Sequence, residues 1–279
     1  MLVELAIGDA YGAGFEFAPD EFVATHNTLS GYVQHPRHTL KPGSYTDDTQ
    51  MSLAIAETLI ANDPWTPEVL ASRFVKTFKR DPRKGYASRF YEFLLSVNDG
   101  EEFLAKIQGT SDKSGSAMRV MPVGILPTVE QVIEAATIQA KLTHNSPNGI
   151  NAAIAAALMS HYFLYRLGNK EGLGLFLERY IPGSWSIPWN QKVSTLGWQC
   201  VQAAVTAIVR NDSLSNILLD CVAFTGDVDT VAAIAMASGS CSEEVRQDLP
   251  SGLFEGLENG RYGRDYIIEL DRKLLSRVI

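Results

Sequence analysis

Apolar residues in this chain recur at helical spacing in segment after segment, and no alternating run is long enough to build a sheet. In DTQMSLAIAETLIAND, residues 48–63, Met51, Ile55 and Leu59 share a face, and Asn62-Asp63-Pro64 supplies a stop. TPEVLASRFVKTFKRD, residues 66–81, opens on Thr-Pro and carries Val69, Leu70, Phe74 and Phe78 at the same spacing. TVEQVIEAATIQAKLTH, residues 128–144, places Glu130 and Gln131 in a first turn behind Thr128, where a polar cap and negative charge complement free backbone N–H groups. Further helices are predicted over 149–167, 194–212, 214–226, 230–240 and the C-terminal DYIIELDRKLLSRVI. Short extended pieces are expected around 29–34, and loops at 35–44, 81–85, 109–116 and 181–188, where Gly and Pro gather. With no internal repeat or low-complexity tract, residues 1–279 read as one mainly α-helical domain.

At 46% hydrophobic and 20% charged residues, the chain has enough apolar material for a substantial core. A net charge of −8 argues against a broad basic surface, so nucleic acid is not an expected partner. Cys200, Cys221 and Cys241 are widely spaced and odd in number, giving neither a zinc pattern nor a disulfide framework; reduced thiols of a cytoplasmic protein are expected. MLVELAIGDAYG has no basic leader and Glu4 interrupts it, so no signal peptide is expected. GINAAIAAALMSHYFLYRL, residues 149–167, contains Asn151, His161 and Arg166 among small alanines and reads as a buried helix, not a membrane span.

Two stretches place paired carboxylates where a helix begins: SYTDDTQ, residues 44–50, and TGDVDTVAAIAMASG, residues 225–239. Each pair alone has the reading of a helix cap, favoured by free N–H groups and the helix dipole. A cap needs one side chain, however, and a second adjacent carboxylate adds repulsion unless something positive lies between. Carboxylates with threonine hydroxyls suit hard cations such as Mg²⁺, Ca²⁺ or Mn²⁺. If the two starts meet in space, four carboxylates can hold two cations that orient a substrate and acidify a water. Spacing leaves both readings open.

Three further stretches carry chemistry. GDAYGAGFEF, residues 8–17, offers Gly8, Gly12 and Gly14 for close backbone approach but lacks the dinucleotide fingerprint. Its Glu16 is either an ordinary surface carboxylate or, between Phe15 and Phe17, a desolvated one with a raised pKa suited to proton transfer. SDKSGSAMRVMPVG, residues 111–124, presents Ser114-Gly115-Ser116 as a phosphate cradle, with Arg119 adding charge or pairing with a core carboxylate. LTHNSPNG, residues 142–149, holds His144, a structural hydrogen bonder or a titrating group.

Together GDAYGAGFE, YTDDTQM, SGSAMRVMPVG, THNSP and GDVDTVAAIA, in this order, resemble the ADP-ribosylglycohydrolase family, the group related to dinitrogenase-reductase-activating glycohydrolase. The resemblance spans nearly the whole chain. It implies an all-α fold, a single compact orthogonal helical domain with a binuclear metal cleft, holding two Mg²⁺ or Mn²⁺ and hydrolysing the bond between ADP-ribose and an acceptor. Carried over by position, Thr46, Asp47, Asp48, Asp227, Asp229 and Thr230 are the metal ligands, with Asp229 as bridge. Glu16, Asp48 and Asp229 are the catalytic set, and Thr49 is left to capping. Phe15, Ser114, Gly115, Ser116, Met118 and His144 are the substrate-binding residues. Ser114 stands where many relatives have asparagine, Thr225 and Val228 where Gly and a hydroxyl residue are common, and Val231 where asparagine is frequent. The implied partner is an ADP-ribosylated protein or an ADP-ribose-bearing small molecule, with no membrane and a monomeric enzyme. Arginine-linked ADP-ribose is the first expectation. Serine-linked or other O-linked ADP-ribose, a small ADP-ribose derivative, and a catalytically silent binding or structural protein are the alternatives.

Overall fold

A computed structural model describes residues 1–278. Among them the chain forms α1 (Leu2–Gly12), α2 (Asp20–His26), α3 (Asp47–Ala61), α4 (Pro67–Arg80) and α5 (Ser88–Ser96). There follow α6 (Gly100–Lys106), α7 (Gly115–Met118), α8 (Val129–Lys141), α9 (Pro147–Leu164) and α10 (Leu173–Glu178). The last five are α11 (Gly197–Arg210), α12 (Leu214–Ala223), α13 (Val228–Gly239), α14 (Ser251–Gly256) and α15 (Arg264–Leu275). Strand pairing among the described residues is limited to isolated bridges such as Val193 with Gly226. The fold is all-α, as expected. The extended piece expected at 29–34 is not a strand: Leu29 at φ 59° and Gly31 at φ 152° break extended backbone twice within it. No helix among the described residues is long and apolar enough to cross a membrane.

Helices α1, α3, α9 and α13 form the centre and are buried over most or all of their circumference. The amphipathic helices α4, α11 and α15 lie around them, with one apolar face inward and charge outward. Two contacts of α1 set the arrangement of this centre. Gly8 and Gly12, four residues apart on one face, let the backbone of α13 lie directly on α1. A Cβ on Gly8 would come within 2.6 Å of the Ala232 carbonyl oxygen, and one on Gly12 within 2.7 Å of the Asp229 nitrogen.

The other contact runs through Asp9, which is fully buried. Its carboxylate accepts from the Thr46 N–H (2.9 Å), the Thr46 hydroxyl (2.7 Å), the Thr49 N–H (3.0 Å) and the Thr49 hydroxyl (2.6 Å). Asp9 therefore seats the start of α3 against α1. At its far end α3 closes on Asn62 in the left-handed region, and the Arg277 guanidinium donates to the Leu59 and Ile60 carbonyls. Helix α1 thus carries the start of α13 on one face and the start of α3 on another.

The glycine contact makes a stability prediction. In Gly12→Ala the new methyl meets backbone of α13, which can yield only by moving the helix, so a loss of about 1–3 kcal/mol is expected in urea or thermal unfolding. Gly252→Ala, where a Cβ meets nothing within 4 Å, should leave stability equal or slightly raised.

Candidate metal centre and substrate cleft

Asp47 and Asp48 open α3, while Asp227 stands at the N-cap position of α13 without a side-chain capping bond and Asp229 lies in its first turn. All four are buried, at 8%, 3%, 5% and 4% exposure. The two helix starts meet. Asp47, Asp48, Asp227, Asp229, Thr230 and Glu16 all line one cleft of about 770 Å³. Carboxylate oxygens of Glu16, Asp227 and Asp229 lie within 4.8 Å of one another.

Such a cluster is electrostatically unfavourable by itself. Burial, and then the charges of Asp9 and Glu16, hold Asp47 well above the usual carboxylate range; burial, then Asp9, Asp47 and Asp227, do the same to Asp48. Asp229 is raised by burial and by Glu16, Asp48 and Asp227. Glu16 is pushed up to about 7 by burial and by Asp227 and Asp9. None of the ion pairs among the described residues involves these five side chains. Asp48 Oδ1 is buried with no hydrogen-bond partner at all. Buried carboxylates without a counter-charge cost several kcal/mol each, and a hard divalent cation is what an all-oxygen donor set accommodates. The residues present fit such an ion.

Neighbouring groups hold these carboxylates in place. Asp227 Oδ2 accepts from the Ser114 hydroxyl (3.1 Å) and the Cys200 thiol (3.5 Å), leaving its other oxygen for the cleft. Asp229 Oδ1 accepts the Thr230 N–H at 2.9 Å. Thr46, fully buried, is the N-cap of α3 and receives the Asp48 N–H at 3.4 Å. Thr49 is therefore not the cap assigned to it; its hydroxyl serves Asp9. Gly85, at φ 108°, lays its backbone across this site, where a Cβ would come within 2.7 Å of Thr46 Cβ and would also meet Asp47 Oδ1.

The middle of the cleft departs from the sequence reading in several details. The Ser114 hydroxyl is turned to Asp227, and its N–H is taken by the Thr195 carbonyl. The N–H groups of Ala117 and Met118 return to Ser114, so those of Gly115 and Ser116 are the ones left without an acceptor among the described residues. The Ser116 side chain is buried and donates to the Gly149 carbonyl at 3.0 Å, so it does not border the cleft. Phe15 does not border it either; the ring sits in the core against Tyr11 and Phe22, centroids 5.2 and 5.9 Å away, because an apolar ring next to α1 is better buried than wet. Gly115, Met118 and His144 do line it.

Arg119 pairs with no carboxylate. Fully buried at the cleft floor, it donates to Gln139 Oε1 (2.8 Å), the Gln139 carbonyl (3.1 Å) and the Thr143 hydroxyl (2.9 Å), with Phe74 against its face at 4.5 Å. Thr143 Oγ1, which accepts from Arg119, also makes a hydrogen bond with His144 Nδ1 at 2.7 Å. Burial and the Arg119 charge push His144 down to about 3, so it is neutral and not a titrating group near neutral pH. Arg89, Lys106 and Lys113 with Phe90 and Phe93, rings stacked at 5.9 Å, also line the cleft. Its lining therefore combines carboxylates with cationic and aromatic side chains.

Asp9, Gly85, Cys200 and the Arg89–Phe93 stretch had no place at the site in the sequence reading. For Asp9 a signal existed: a charge inside the apolar AIGDAYG needs a buried partner. For the others no local pattern points to the site.

The sequence signature of the family described as ADP-ribosylglycohydrolase matches residues 1–278. ADP-ribosylhydrolase ARH3 of Xenopus tropicalis is 31% identical over 174 residues, covering 58% of this chain and 49% of that protein. The chain thus spans about half the length of such curated relatives. ADP-ribosyl-[dinitrogen reductase] glycohydrolase of Rhodospirillum rubrum is 26% identical over 272 residues, 91% of this chain and 87% of its own. A solved ADP-ribosylglycohydrolase-related protein complex shares the fold with a TM-score of 0.77, over 100% of this chain and 96% of the other at 22% identity.

The raised carboxylates predict how a cation changes stability. Their folded pKa values exceed the unfolded ones, so their charging costs stability once pH rises above the ordinary carboxylate range, and the cost is complete above the raised values. A divalent cation removes that cost but must displace the protons first. The gain in Tm on adding millimolar Mg²⁺ or Mn²⁺ should therefore be larger at about pH 8 than at about pH 5 in thermal shift measurements. No gain, or a larger one in acid, would contradict this electrostatic account.

Proposed function

The chain belongs to the ADP-ribosylglycohydrolase family, and we propose that residues 1–279 form one domain acting as a metal-dependent hydrolase that releases ADP-ribose from a modified acceptor. The observation that carries this reading is the meeting of two Asp pairs and Glu16 on one cleft, whose lining also holds cationic and aromatic side chains. Thr46, Asp47, Asp48, Asp227, Asp229 and Thr230 would hold two Mg²⁺ or Mn²⁺ ions, which when bound supply Lewis acidity toward ribose hydroxyls and water. Asp48 and Asp229, one from each helix start, orient the reacting end of the substrate. Glu16, half-buried and raised to about 7, is placed to take a proton from water or give one to the leaving acceptor.

The remaining parts of ADP-ribose match the rest of the cleft. The Gly115 N–H and the buried Arg119 charge suit the diphosphate, and the neutral His144 borders the same cleft. Met118 gives an apolar wall, and Phe90 and Phe93 suit an adenine. The alignment over 84% of this chain with ADP-ribosylarginine hydrolase Tri1 of Pseudomonas putida, at 24% identity, supports arginine-linked ADP-ribose on a protein as the first choice over serine-linked, other O-linked or small-molecule forms. The partnerless Asp48 oxygen speaks against a silent binding protein on the same fold, which has no use for an uncompensated buried charge. Three free thiols fit a cytoplasmic protein, and a monomer is proposed on the family resemblance alone.

The test is ADP-ribose release, followed by chromatography, from arginine-modified peptide, serine-modified peptide and ADP-ribose-1″-phosphate side by side. Arginine-modified peptide should be turned over fastest, and Asp48→Ala or Asp229→Ala should reduce release to the uncatalysed rate. Undiminished release after exhaustive chelation would overturn the reading.

A further inference from the structure

Glu16 lies in the turn between α1 and α2, outside regular secondary structure. A proton-transfer group on a loop needs that loop held, and three contacts hold this one. Phe17, left-handed at φ 49°, donates its N–H to the Gly226 carbonyl at 2.8 Å, next to Asp227. Gly14 rests on Val33, where a Cβ would come within 2.9 Å of both Val33 Cγ2 and its carbonyl oxygen. The third contact is His35, whose Nε2 lies 2.9 Å from the Glu16 carbonyl oxygen.

The proton on His35 is fixed by its other neighbours. Nδ1 faces the N–H groups of Arg37 (3.0 Å) and His38 (3.1 Å), and two donors directed at one nitrogen require it to be bare. Nε2 therefore carries the hydrogen and donates to the Glu16 carbonyl. The ring is 4% exposed and stacked on His38 at 4.1 Å, so it has little room to swing. One nitrogen closes the 35–38 turn and the other grips the backbone of Glu16.

We propose that His35 is a positioning residue for hydrolysis: its Nε2–H···O=C bond fixes the turn that aims the Glu16 carboxyl into the cleft. This rests on the proposed role of Glu16. His35 itself touches no reacting atom, and its effect is on the geometry of the proton transfer, where a displacement of about 1 Å costs about 100-fold in rate.

Two substitutions separate the functions of the two nitrogens. In His35→Gln the side-chain amide nitrogen reaches the Nε2 position and keeps the bond to Glu16. In His35→Asn the amide oxygen sits where Nδ1 was and keeps the 35–38 turn, but the bond to Glu16 is lost. His35→Asn should lower kcat by about 10- to 100-fold with KM and Mn²⁺ affinity unchanged, while His35→Gln recovers most of that loss. Hydrogen exchange read by mass spectrometry should show lost protection at residues 15–18 in His35→Asn and retained protection in His35→Gln. Combined with Glu16→Gln, His35→Asn should cost nothing further, because the group it aims is already gone. Wild-type kcat and protection in His35→Asn, while Glu16→Gln is impaired, would overturn the His35 assignment alone. Equal losses in the Asn and Gln variants would overturn it as well. Wild-type kcat in Glu16→Gln would overturn the role of Glu16 and this proposal with it.

Discussion

The Asp9 carboxylate, buried in α1 and accepting four hydrogen bonds from Thr46 and Thr49, decides where α3 begins. Charge-assisted bonds to two backbone N–H groups and two hydroxyls satisfy the first turn of α3 without water and fix its rotation. On another face of the same helix, Gly8 and Gly12 admit the backbone of α13. The distance between the two acidic helix starts is thus set by the width of one buried helix. Move α1 and Asp47-Asp48 no longer face Asp227 and Asp229.

What α1 brings together is unfavourable in isolation. Four buried aspartates and a half-buried glutamate share one cleft with no ion-pair partner among them, and every one is raised by burial. A fold selected for stability alone has cheaper ways to cap two helices, since one Thr or Asp suffices for each. The hydrogen bonds around the cluster serve orientation more than neutralisation. Ser114 and Cys200 hold one oxygen of Asp227, the Thr230 N–H holds one of Asp229, and Asp48 Oδ1 is left bare. Strain of this kind, offset by a rigid core, is the usual mark of a site built to receive something positive.

How much of this could be read from sequence follows from the range of the interactions involved. Helices α4, α8, α11, α12 and α15 were legible because a periodic apolar face is a local signal, and the more deeply buried α3, α9 and α13 were also predicted. Helix α1 was not, because its Gly8 and Gly12 count against a helix locally and only their contact with α13 accounts for them. The short α5, α6 and α14 carry too few residues to show a period. The acidic pairs stood out because two carboxylates exceed what a cap needs. Their meeting depends on Asp9 and Gly12, whose partners lie tens or hundreds of residues away. The same range hid Gly85, Cys200 and His35. The Ser114-Gly115-Ser116 turn was read as a backbone cradle for phosphate; the Ser114 N–H is taken by Thr195, Ser116 is buried, and the two hydroxyls are occupied by Asp227 and Gly149, so the Gly115 N–H is the part of that cradle left at the cleft. Arg119, open between added charge and a core carboxylate, proved to be a buried cation held by neutral groups.

The central claim is that one cation site is shared by helix starts brought together across α1. Anomalous diffraction from crystals soaked in Mn²⁺ tests it most directly. The account predicts manganese peaks within coordination distance of Asp48 Oδ1 and of carboxylates from both α3 and α13. Manganese bound to only one of the two helix starts, or no peak in the cleft while Asp48 Oδ1 stays without a partner, would contradict it.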